Sequence, residues 1–251
     1  MPIYLAAILV VVAAYFLGCF NGAMMISRRI FHDDVRTHGS GNAGLTNFYR
    51  TYGAQYALLV IVCDMGKTAI ATAIGGCLFR ALYQDWTLGV LIAGLSCIIG
   101  HVFPATYKFK GGKGVACALG VFMVSNPLYL LIAFVIGFVY VWFFDYGSVA
   151  SLFIVAFMAV VQGWQFSQSY LDGKLPLESL LTINILLFVI FSLIWFAHRS
   201  NIIRLSPSSY NSVMIIIILN HTTVKAYIFK QITYCFTLVF SNFKKHFTVG
   251  F

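Results

Sequence analysis

The stretch MPIYLAAILVVVAAYFLGCF, residues 1–20, decides the fold class of this chain. It is continuously apolar, no basic residue precedes the apolar run, and no small-residue cleavage site follows it. A helix that crosses the hydrocarbon core of a bilayer needs about 20 apolar residues, because each residue advances the helix by about 1.5 Å. The stretch therefore predicts a retained first transmembrane helix rather than a cleaved signal peptide.

The composition of the whole chain supports the same class. Of its 251 residues, 61% are hydrophobic and 9% are charged, whereas a soluble domain carries about 25% charged residues. A soluble globule could not bury so much apolar surface, so we predict an all-α polytopic membrane protein. The net charge of +9 does not indicate nucleic-acid binding, because the basic residues are spread between apolar runs. The six cysteines form no C-x-x-C pair, which favours buried thiols over disulfides or a zinc site.

Seven apolar segments are predicted to cross the membrane. They lie near 3–27, 53–76, 86–103, 114–126, 127–145, 148–166 and 177–197. The fourth is short, because its thirteen residues reach only about 20 Å as a helix. Pro127 marks its end, since proline interrupts helical hydrogen bonding. Alternatively, the fourth and fifth segments could form one bent helix.

The basic residues indicate which side faces the cytoplasm. With seven spans and an outside N-terminus, the loops at 28–52, 104–113 and 198–205 share one side and hold nine Lys and Arg residues, whereas the opposite loops hold two, Arg80 and Lys174. An excess of Lys and Arg marks the cytoplasmic side. Six spans would weaken this asymmetry, so we predict seven, with the three basic loops in the cytoplasm.

The chain is predicted to have two parts, a membrane domain over residues 1–205 and an atypical C-terminal tail over residues 206–251. The apolar runs of the tail are short and interrupted by polar residues, so neither is a convincing span. The tail could be an amphipathic segment at the membrane surface. An appended segment outside the catalytic domain is the favoured interpretation.

The first cytoplasmic loop contains GSGNAGLTNFYR, residues 39–50. It matches G-x-G-x-x-G, but this dinucleotide pattern is informative only between a strand and a helix, and here a transmembrane helix precedes it. Glycines still let backbone N–H groups approach an anion, and a following helix N-terminus adds positive potential. We therefore predict an anion-binding loop, although a polar connecting loop is the alternative. Its candidate ligand contacts are Ser40, Asn42, Thr46, Asn47 and Arg50.

A second glycine-rich loop, GGKG, occupies residues 111–114 and follows two further lysines. It is not a nucleotide P-loop, because Tyr107 stands where that motif needs glycine and Gly114 where it needs serine or threonine. Cations and glycines at a helix start nevertheless predict a second phosphate-binding loop on the same side as the first. Membrane anchoring by the lysines alone is the alternative interpretation.

Two further groups of polar residues, one at the end of a predicted span and one inside a span, are candidates for function. His198 stands among arginines near Asn201 at the end of the last span, and histidine can move a proton near neutral pH. Asp64 and Lys67 lie three positions apart inside the second span, so they share a helix face. Charges within a membrane are costly and face the bundle interior. For this pair, structural pairing and functional use both remain open.

Four motifs of the chain resemble those of the acyl-phosphate:glycerol-3-phosphate acyltransferases, the bacterial PlsY family. They are SGNAGLTNFYR at 40–50, DMGK at 64–67, GHVFPATYKFKGGKGVA at 100–116 and HRSNIIRL at 198–205, and the resemblance covers about residues 3–205. It implies seven transmembrane helices and a cytoplasmic active site in the bacterial inner membrane. It also implies transfer of a fatty acyl group from acyl phosphate to the 1-hydroxyl of glycerol 3-phosphate. The products would be 1-acyl-glycerol 3-phosphate and phosphate. This transfer would be the first acylation of phospholipid synthesis.

The resemblance implies no cofactor, metal, nucleic acid or obligate protein partner, and membrane lipid as the surroundings. It implies two sets of site residues. The catalytic set is Ser40, Arg50, Lys113, His198 and Asn201, and the substrate-binding set is Asn42, Thr46, Asn47, Gly111, Gly112, Gly114, Ser148 and Ser151. The chain departs from the family after Leu205. The family usually continues through a glycine to a glutamate, whereas this chain continues with Ser206 and Pro207 and has no glutamate after Glu178. A changed reading frame near the 3′ end of the coding region would produce such a tail.

The alternative function is a membrane transporter or exchanger of phosphorylated solutes. Such a protein would show repeated halves and helices broken at the membrane midplane. The sequence shows no internal repeat, and its polar residues concentrate at one face. Acyltransferases marked by H-x-x-x-x-D are excluded, because no aspartate here has a histidine five positions before it.

Overall fold

The computed structural model describes residues 1–144 and 147–204, and within these ranges all regular elements are helices. The all-α prediction is therefore confirmed for the described part of the chain. The chain divides into two units, Met1–Arg199 and Ser200–Phe251. The helices are α1 (Ile3–Gly18), α2 (Gly22–Ile30), α3 (Leu45–Tyr52), α4 (Ala54–Tyr83), α5 (Trp86–Val102), α6 (Val115–Ser125), α7 (Pro127–Phe144), α8 (Gly147–Leu171), α9 (Leu177–Ala197) and α10 (Arg199–Arg204).

Six helical segments in the described ranges are long and apolar enough to cross a membrane. The predicted fourth span is α6, which has 11 residues and measures only about 16 Å. Asn126 leaves the helical conformation and Pro127 begins the next helix, so α6 and α7 are two helices rather than one bent helix. The six segments are Ile3–Ile30, Ala54–Tyr83, Trp86–Tyr107, Pro127–Phe144, Gly147–Leu171 and Leu177–Ala197.

The outer helices leave large apolar side chains uncovered. Phe138 and Trp142 of α7 are 69% and 61% exposed, and Phe188 of α9 is 69% exposed. Soluble proteins rarely expose contiguous apolar patches of this kind, so this surface is suited to contact with lipid tails.

Helix α5 lies at the centre of the first unit, where it packs against α1, α4, α6 and α9. Its approach to α1 depends on glycines on both helices. A methyl group added at Gly100 would lie 2.1 Å from the carbonyl oxygen of Tyr15, and one added at Gly18 would lie 2.2 Å from that of Cys97. Small residues that let backbones approach closely are typical of helix contacts within membranes.

The first predicted span, 3–27, is a broken helix and not the continuous helix expected. Helix α1 ends at Gly18 and α2 begins at Gly22. The side chain of Asn21 caps α2, because its Oδ1 accepts a hydrogen bond of 2.9 Å from the N–H of Met24. The break interrupts the helical ladder inside the bundle, so other groups must satisfy the exposed backbone polar atoms.

The cysteine prediction is confirmed in part. Cys19, Cys97 and Cys117 are buried free thiols, but Cys77 is exposed, so the expected burial is wrong there. Cys235 and the predicted tail over residues 206–251 lie outside the described residues.

Candidate active site

The first loop is folded around the side chain of Asn47. Its Nδ2 donates to the carbonyl oxygens of Val35 at 2.8 Å and His38 at 3.0 Å, and its Oδ1 accepts from the N–H of Ser40 at 2.9 Å. Asn47 is buried, and its amide holds three points of the loop together. The structure therefore gives Asn47 a part in positioning Ser40, which the sequence did not distinguish from contact with a ligand.

Two glycines of the G-x-G-x-x-G pattern are required by the backbone of this loop. Gly39 and Gly41 have φ values of +55° and +70°, and residues with a side chain rarely adopt such angles. Gly44, in contrast, is extended with φ of −130° and caps α3. The pattern therefore reflects a tight turn that leads into a helix, and not a dinucleotide fold.

Helix α3 presents two of the predicted site residues to solvent. Thr46 and Arg50 are exposed and lie four positions apart, so they share one face of the helix. Within residues 1–144 and 147–204, no hydrogen bond or ion pair engages the Arg50 guanidinium. Its fork of N–H donors is therefore available for a phosphate. Ser40 and Asn42 are half-buried in the preceding turn.

Arg36 joins the first loop to the second. Its Nη1 donates to the carbonyl oxygens of Tyr107 at 3.2 Å and Lys110 at 3.3 Å. Its Nη2 lies 2.8 Å from Oδ2 of Asp34, which Arg28 also contacts at 3.0 Å. Hydrogen bonds from Arg36, with help from Arg28, hold the pKa of Asp34 well below its usual range. The carboxylate therefore stays ionised and orients both arginines at neutral pH.

The GGKG loop packs directly on the ring of His101 and on the first loop. The N–H of Gly112 donates to the carbonyl oxygen of His101 at 3.1 Å. A methyl group at Gly112 would lie 2.2 Å from Nε2 of His101 and 2.9 Å from the carbonyl oxygen of Ala43, and one at Gly111 would lie 2.0 Å from the carbonyl oxygen of His101. Close packing thus requires both glycines. The contact between Gly112 and Ala43 brings the two predicted phosphate-binding loops together.

His198 adjoins the same loop from the end of α9. Its Nδ1 donates to the carbonyl oxygen of Ile194 at 2.8 Å, so Nε2 is the unprotonated nitrogen of the neutral ring. A methyl group at Gly114 would lie 3.7 Å from Ile194, which places the end of α9 beside the loop. Burial lowers the pKa of His198, and the positive charge of Lys113 lowers this pKa further. The ring is therefore neutral at pH 7, with a lone pair on Nε2.

Three predicted site residues belong to other helices. Ser148 and Ser151 are in the first turn of α8, where Oγ of Ser151 donates to the carbonyl oxygen of Gly147 at 2.7 Å. Asn201 is in α10 and belongs to the second unit. The first unit thus brings together both glycine-rich loops and His198, while contacts of Ser148, Ser151 and Asn201 with a substrate stay predictions.

The charges of α4 fill the break between α1 and α2. Nζ of Lys67 donates to the carbonyl oxygens of Gly18, at 3.0 Å, and Phe20. Oδ1 of Asp64 accepts from the N–H of Gly22 at 3.0 Å and lies 3.1 Å from Lys67. Lys67 therefore binds carbonyl groups at the C-terminal end of α1, and Asp64 binds an N–H group at the N-terminal end of α2. Helix dipoles favour this placement of the two charges.

This pairing confirms a structural role for Asp64 and Lys67, which are 2% and 6% exposed. Their third partner, His101, was not among the predicted site residues. Its Nδ1 lies 3.0 Å from Nζ of Lys67. The available signal was a histidine inside an apolar span next to a span that carries a charge pair, since such residues tend to pair within a bundle.

Together, these features define a helical protein with apolar segments suited to cross a membrane and with two glycine-rich loops that meet beside His198. A family model described as glycerol-3-phosphate acyltransferase matches residues 8–208. The chain belongs to the glycerol-3-phosphate acyltransferase family.

Individual relatives agree with this assignment. The chain is 36% identical over 202 residues to a glycerol-3-phosphate acyltransferase of Finegoldia magna, which covers 80% of this chain and 93% of the relative. It is 35% identical over 203 residues to that of Staphylococcus aureus strain Newman, with 79% and 93% covered. Two crystal structures of PlsY (YgiH), an integral membrane glycerol 3-phosphate acyltransferase, are also similar. The glycerol 3-phosphate form is 31% identical to this chain, with a TM-score of 0.66. The lysophosphatidic acid form is 30% identical, with a TM-score of 0.64. Each comparison covers 81% of this chain and 93% of the other chain.

Proposed function

We propose that this acyltransferase moves a fatty acyl group from acyl phosphate to the 1-hydroxyl of glycerol 3-phosphate. The observation that carries the proposal is the meeting of two glycine-rich loops at Gly112 and Ala43, with His198 beside them. Such an arrangement can hold two phosphorylated molecules side by side. The related PlsY structures are described as glycerol 3-phosphate and lysophosphatidic acid forms, which correspond to the acceptor and the product of this reaction.

The proposed mechanism is direct transfer. The acceptor hydroxyl oxygen attacks the carbonyl carbon of acyl phosphate, an ester C–O bond forms, and the C–O bond to phosphate breaks as phosphate leaves with the electron pair. Since acyl phosphate already carries a good leaving group, the enzyme mainly has to position the reactants. Positioning alone can lower a barrier by about 7–11 kcal/mol.

We assign roles to the site residues on this basis. Arg50 and Lys113 hold the phosphates and stabilise the charge that develops during transfer. Ser40, whose N–H is fixed by Asn47, supplies a polar group in the turn that precedes α3. The hydroxyl proton passes to Nε2 of His198 or to the phosphate of the acceptor itself. Asn201 completes the proposed catalytic set, and Asn42, Thr46, Ser148, Ser151 and the GGKG glycines complete the binding set.

We also propose seven membrane crossings, with the N-terminus outside and the loops in the cytoplasm. The contact between Gly114, at the start of α6, and Ile194, at the end of α9, supports this topology. If α6 did not count as a crossing, these two points would lie on opposite sides of the membrane. In the proposed topology the short α6 does cross the membrane. Asn126, which follows the last residue of α6, donates to Gln165 of α8 at 2.9 Å, so the contact between these two segments continues beyond the end of α6.

The proposed location is the inner membrane of a bacterial cell, with membrane lipid as the surroundings and no obligate protein or nucleic-acid partner. We propose residues 1–205 as the catalytic domain. The family match over residues 8–208 supports a boundary near this point. The tail, residues 206–251, is proposed to lie outside the catalytic domain.

The proposal is tested by incubating the purified full chain in detergent with acyl phosphate and glycerol 3-phosphate. Lysophosphatidate, detected by mass spectrometry, and free phosphate should appear in equal amounts. Acyl-CoA should not replace acyl phosphate, and activity with acyl-CoA alone would show that the proposed donor is wrong. Exchange of labelled glycerol 3-phosphate across proteoliposomes without product formation would instead support the transporter alternative.

Replacing Lys113 with alanine is expected to raise KM for glycerol 3-phosphate. Losing one charge-assisted hydrogen bond costs about 1.5–3 kcal/mol, which corresponds to roughly 10- to 100-fold in affinity. Steady-state kinetics with glycerol 3-phosphate varied at saturating acyl phosphate measure this change. The matched control is Lys110→Ala, because Lys110 is exposed on the same loop. Equal KM values for both variants would exclude a specific role for Lys113.

A further inference from the structure

The ring of His101 stands between the buried charge pair and the GGKG loop. On one side, its Nδ1 lies 3.0 Å from Nζ of Lys67 and 3.5 Å from Oδ1 of Asp64. On the other side, its Nε2 faces Gly112, where an added methyl group would lie 2.2 Å away. His101 is buried, so the ring meets protein on both sides rather than water.

The contact with Lys67 determines which ring nitrogen of His101 carries the proton. An ammonium group only donates hydrogen bonds, so Nδ1 of His101 accepts from Lys67. The proton of the neutral ring is then on Nε2. His101 therefore presents an N–H to the point where Gly112 approaches the carbonyl oxygen of Ala43.

The first loop is tied to the same charge pair by a second route. Nδ2 of Asn21 donates to the carbonyl oxygen of Ala43 at 3.0 Å, and Asn21 is fully buried. The next residue, Gly22, donates its N–H to Asp64. Together these contacts connect the charge pair to both loops and back again, through Asp64, Lys67, His101, Gly112, Ala43, Asn21 and Gly22.

We propose that His101 is a positioning residue for acyl transfer, which sets the spacing of the two loops through Gly112 without touching a substrate. The proposal rests on the proposed binding of phosphorylated substrates by these loops. Both the ring and the backbone carbonyl of His101 contact the GGKG loop. Loss of the ring removes the surface on which Gly112 rests and lets the loop move towards the charge pair.

The first test variant is His101→Asn. The amide oxygen of asparagine can replace Nδ1 as the acceptor for Lys67, whereas the ring atoms that face Gly112 are lost. If the displaced loop loses one charge-assisted hydrogen bond to the phosphate, the cost is about 1.5–3 kcal/mol, so we expect Kd and KM for glycerol 3-phosphate to rise by about 10- to 100-fold. KM for acyl phosphate should change less, because Gly112 belongs to the loop proposed to bind glycerol 3-phosphate.

His101→Gln is the conservative variant, because its longer amide can place an N–H near the position of Nε2. It should bind glycerol 3-phosphate more tightly than His101→Asn does. The matched control is His32→Asn, at an exposed histidine with φ of +52°, an angle that asparagine adopts readily. This control should leave both KM values unchanged.

A double-mutant cycle separates positioning from general destabilisation. Gly112→Ala places a methyl group against Nε2 and Cε1 of His101, so it should weaken binding strongly in the wild type. In the His101→Asn background these atoms are absent, and the same change should cost at least about tenfold less, which is an interaction of about 1.4 kcal/mol. Equal factors in both backgrounds would mean that the ring of His101 does not set the position of Gly112.

Direct binding of labelled glycerol 3-phosphate to the purified full chain is the primary readout, and kinetics are the second. Unchanged Kd in His101→Asn, or equal effects of Gly112→Ala in both backgrounds, would overturn the proposal. If His101→Asn yields no folded protein, the single variant Gly112→Ala carries the test, because its methyl group meets the ring of His101, and an unchanged Kd in that variant overturns the proposal. Wild-type protein that binds no glycerol 3-phosphate would contradict the proposed function itself, whatever the variants do.

Discussion

Lys67→Met is expected to destabilise the protein more than any other single change considered. Removing one partner of a buried ion pair costs about 3–5 kcal/mol, because the remaining charge is left uncompensated. Here the carbonyl oxygens of Gly18 and Phe20 also lose their donor. For a chain of this size, the loss corresponds to a fall in Tm of roughly 6–20 °C, at about 2–4 °C for each kcal/mol. Thermal unfolding of the purified protein, followed by tryptophan fluorescence, measures it.

The chain provides a matched control in a second lysine–aspartate pair. Nζ of Lys174 lies 2.9 Å from Oδ2 of Asp172, but the two side chains are 73% and 55% exposed. Exposed ion pairs contribute about 0–1 kcal/mol, so Lys174→Met should change Tm very little. Similar Tm values for the two variants would mean that Lys67 does not stabilise the helix break.

His198→Gln is expected to have the largest effect on catalysis. General base catalysis contributes about 10²- to 10⁴-fold, so kcat should fall by this factor if Nε2 of His198 accepts the hydroxyl proton. Glutamine keeps a polar side chain of similar length but cannot take up a proton near neutral pH. The measurement is kcat at saturating concentrations of both substrates, with the exposed His32→Gln as the control.

The pH dependence of kcat distinguishes the two proposed bases. Burial and then Lys113 lower the pKa of His198, so the neutral ring persists below the ordinary histidine pKa of about 6.5. Activity that needs this neutral ring is present at pH 7 and is lost as the pH falls through the lowered pKa. In His198→Gln this acid limb should disappear. An unchanged acid limb with near-normal kcat would identify the acceptor's own phosphate as the base.

Apolar runs and glycines made much of this architecture predictable. The runs located the six long apolar segments, because burial in lipid requires continuous apolarity, and Pro127 marked the start of α7. The break between α1 and α2 was not predicted, since Cys19 and Phe20 continue the apolar run and only Asn21 interrupts it. The groups that stabilise the break belong to α4, and hydropathy along one segment carries no information about its neighbours.

The candidate site shows the same division. The loops and His198 were found from residue types that suit phosphate and proton transfer. The role of Asn47 was not, because its acceptors at Val35 and His38 are brought to it by a turn. His101 was missed for a similar reason. Its significance depends on Lys67 and Gly112, which meet it only after three segments have packed.

The helix break has a consequence for the biogenesis of this protein. The segment Ile3–Ile30 leaves the ribosome before α4, and until α4 follows, its carbonyl groups at Gly18 and Phe20 lack their donor Lys67. Lys67 arrives only with α4, and His101 only with α5. The first segment therefore reaches its final broken shape late, after two later helices have inserted, and the two loops can be joined only once synthesis has passed Gly112.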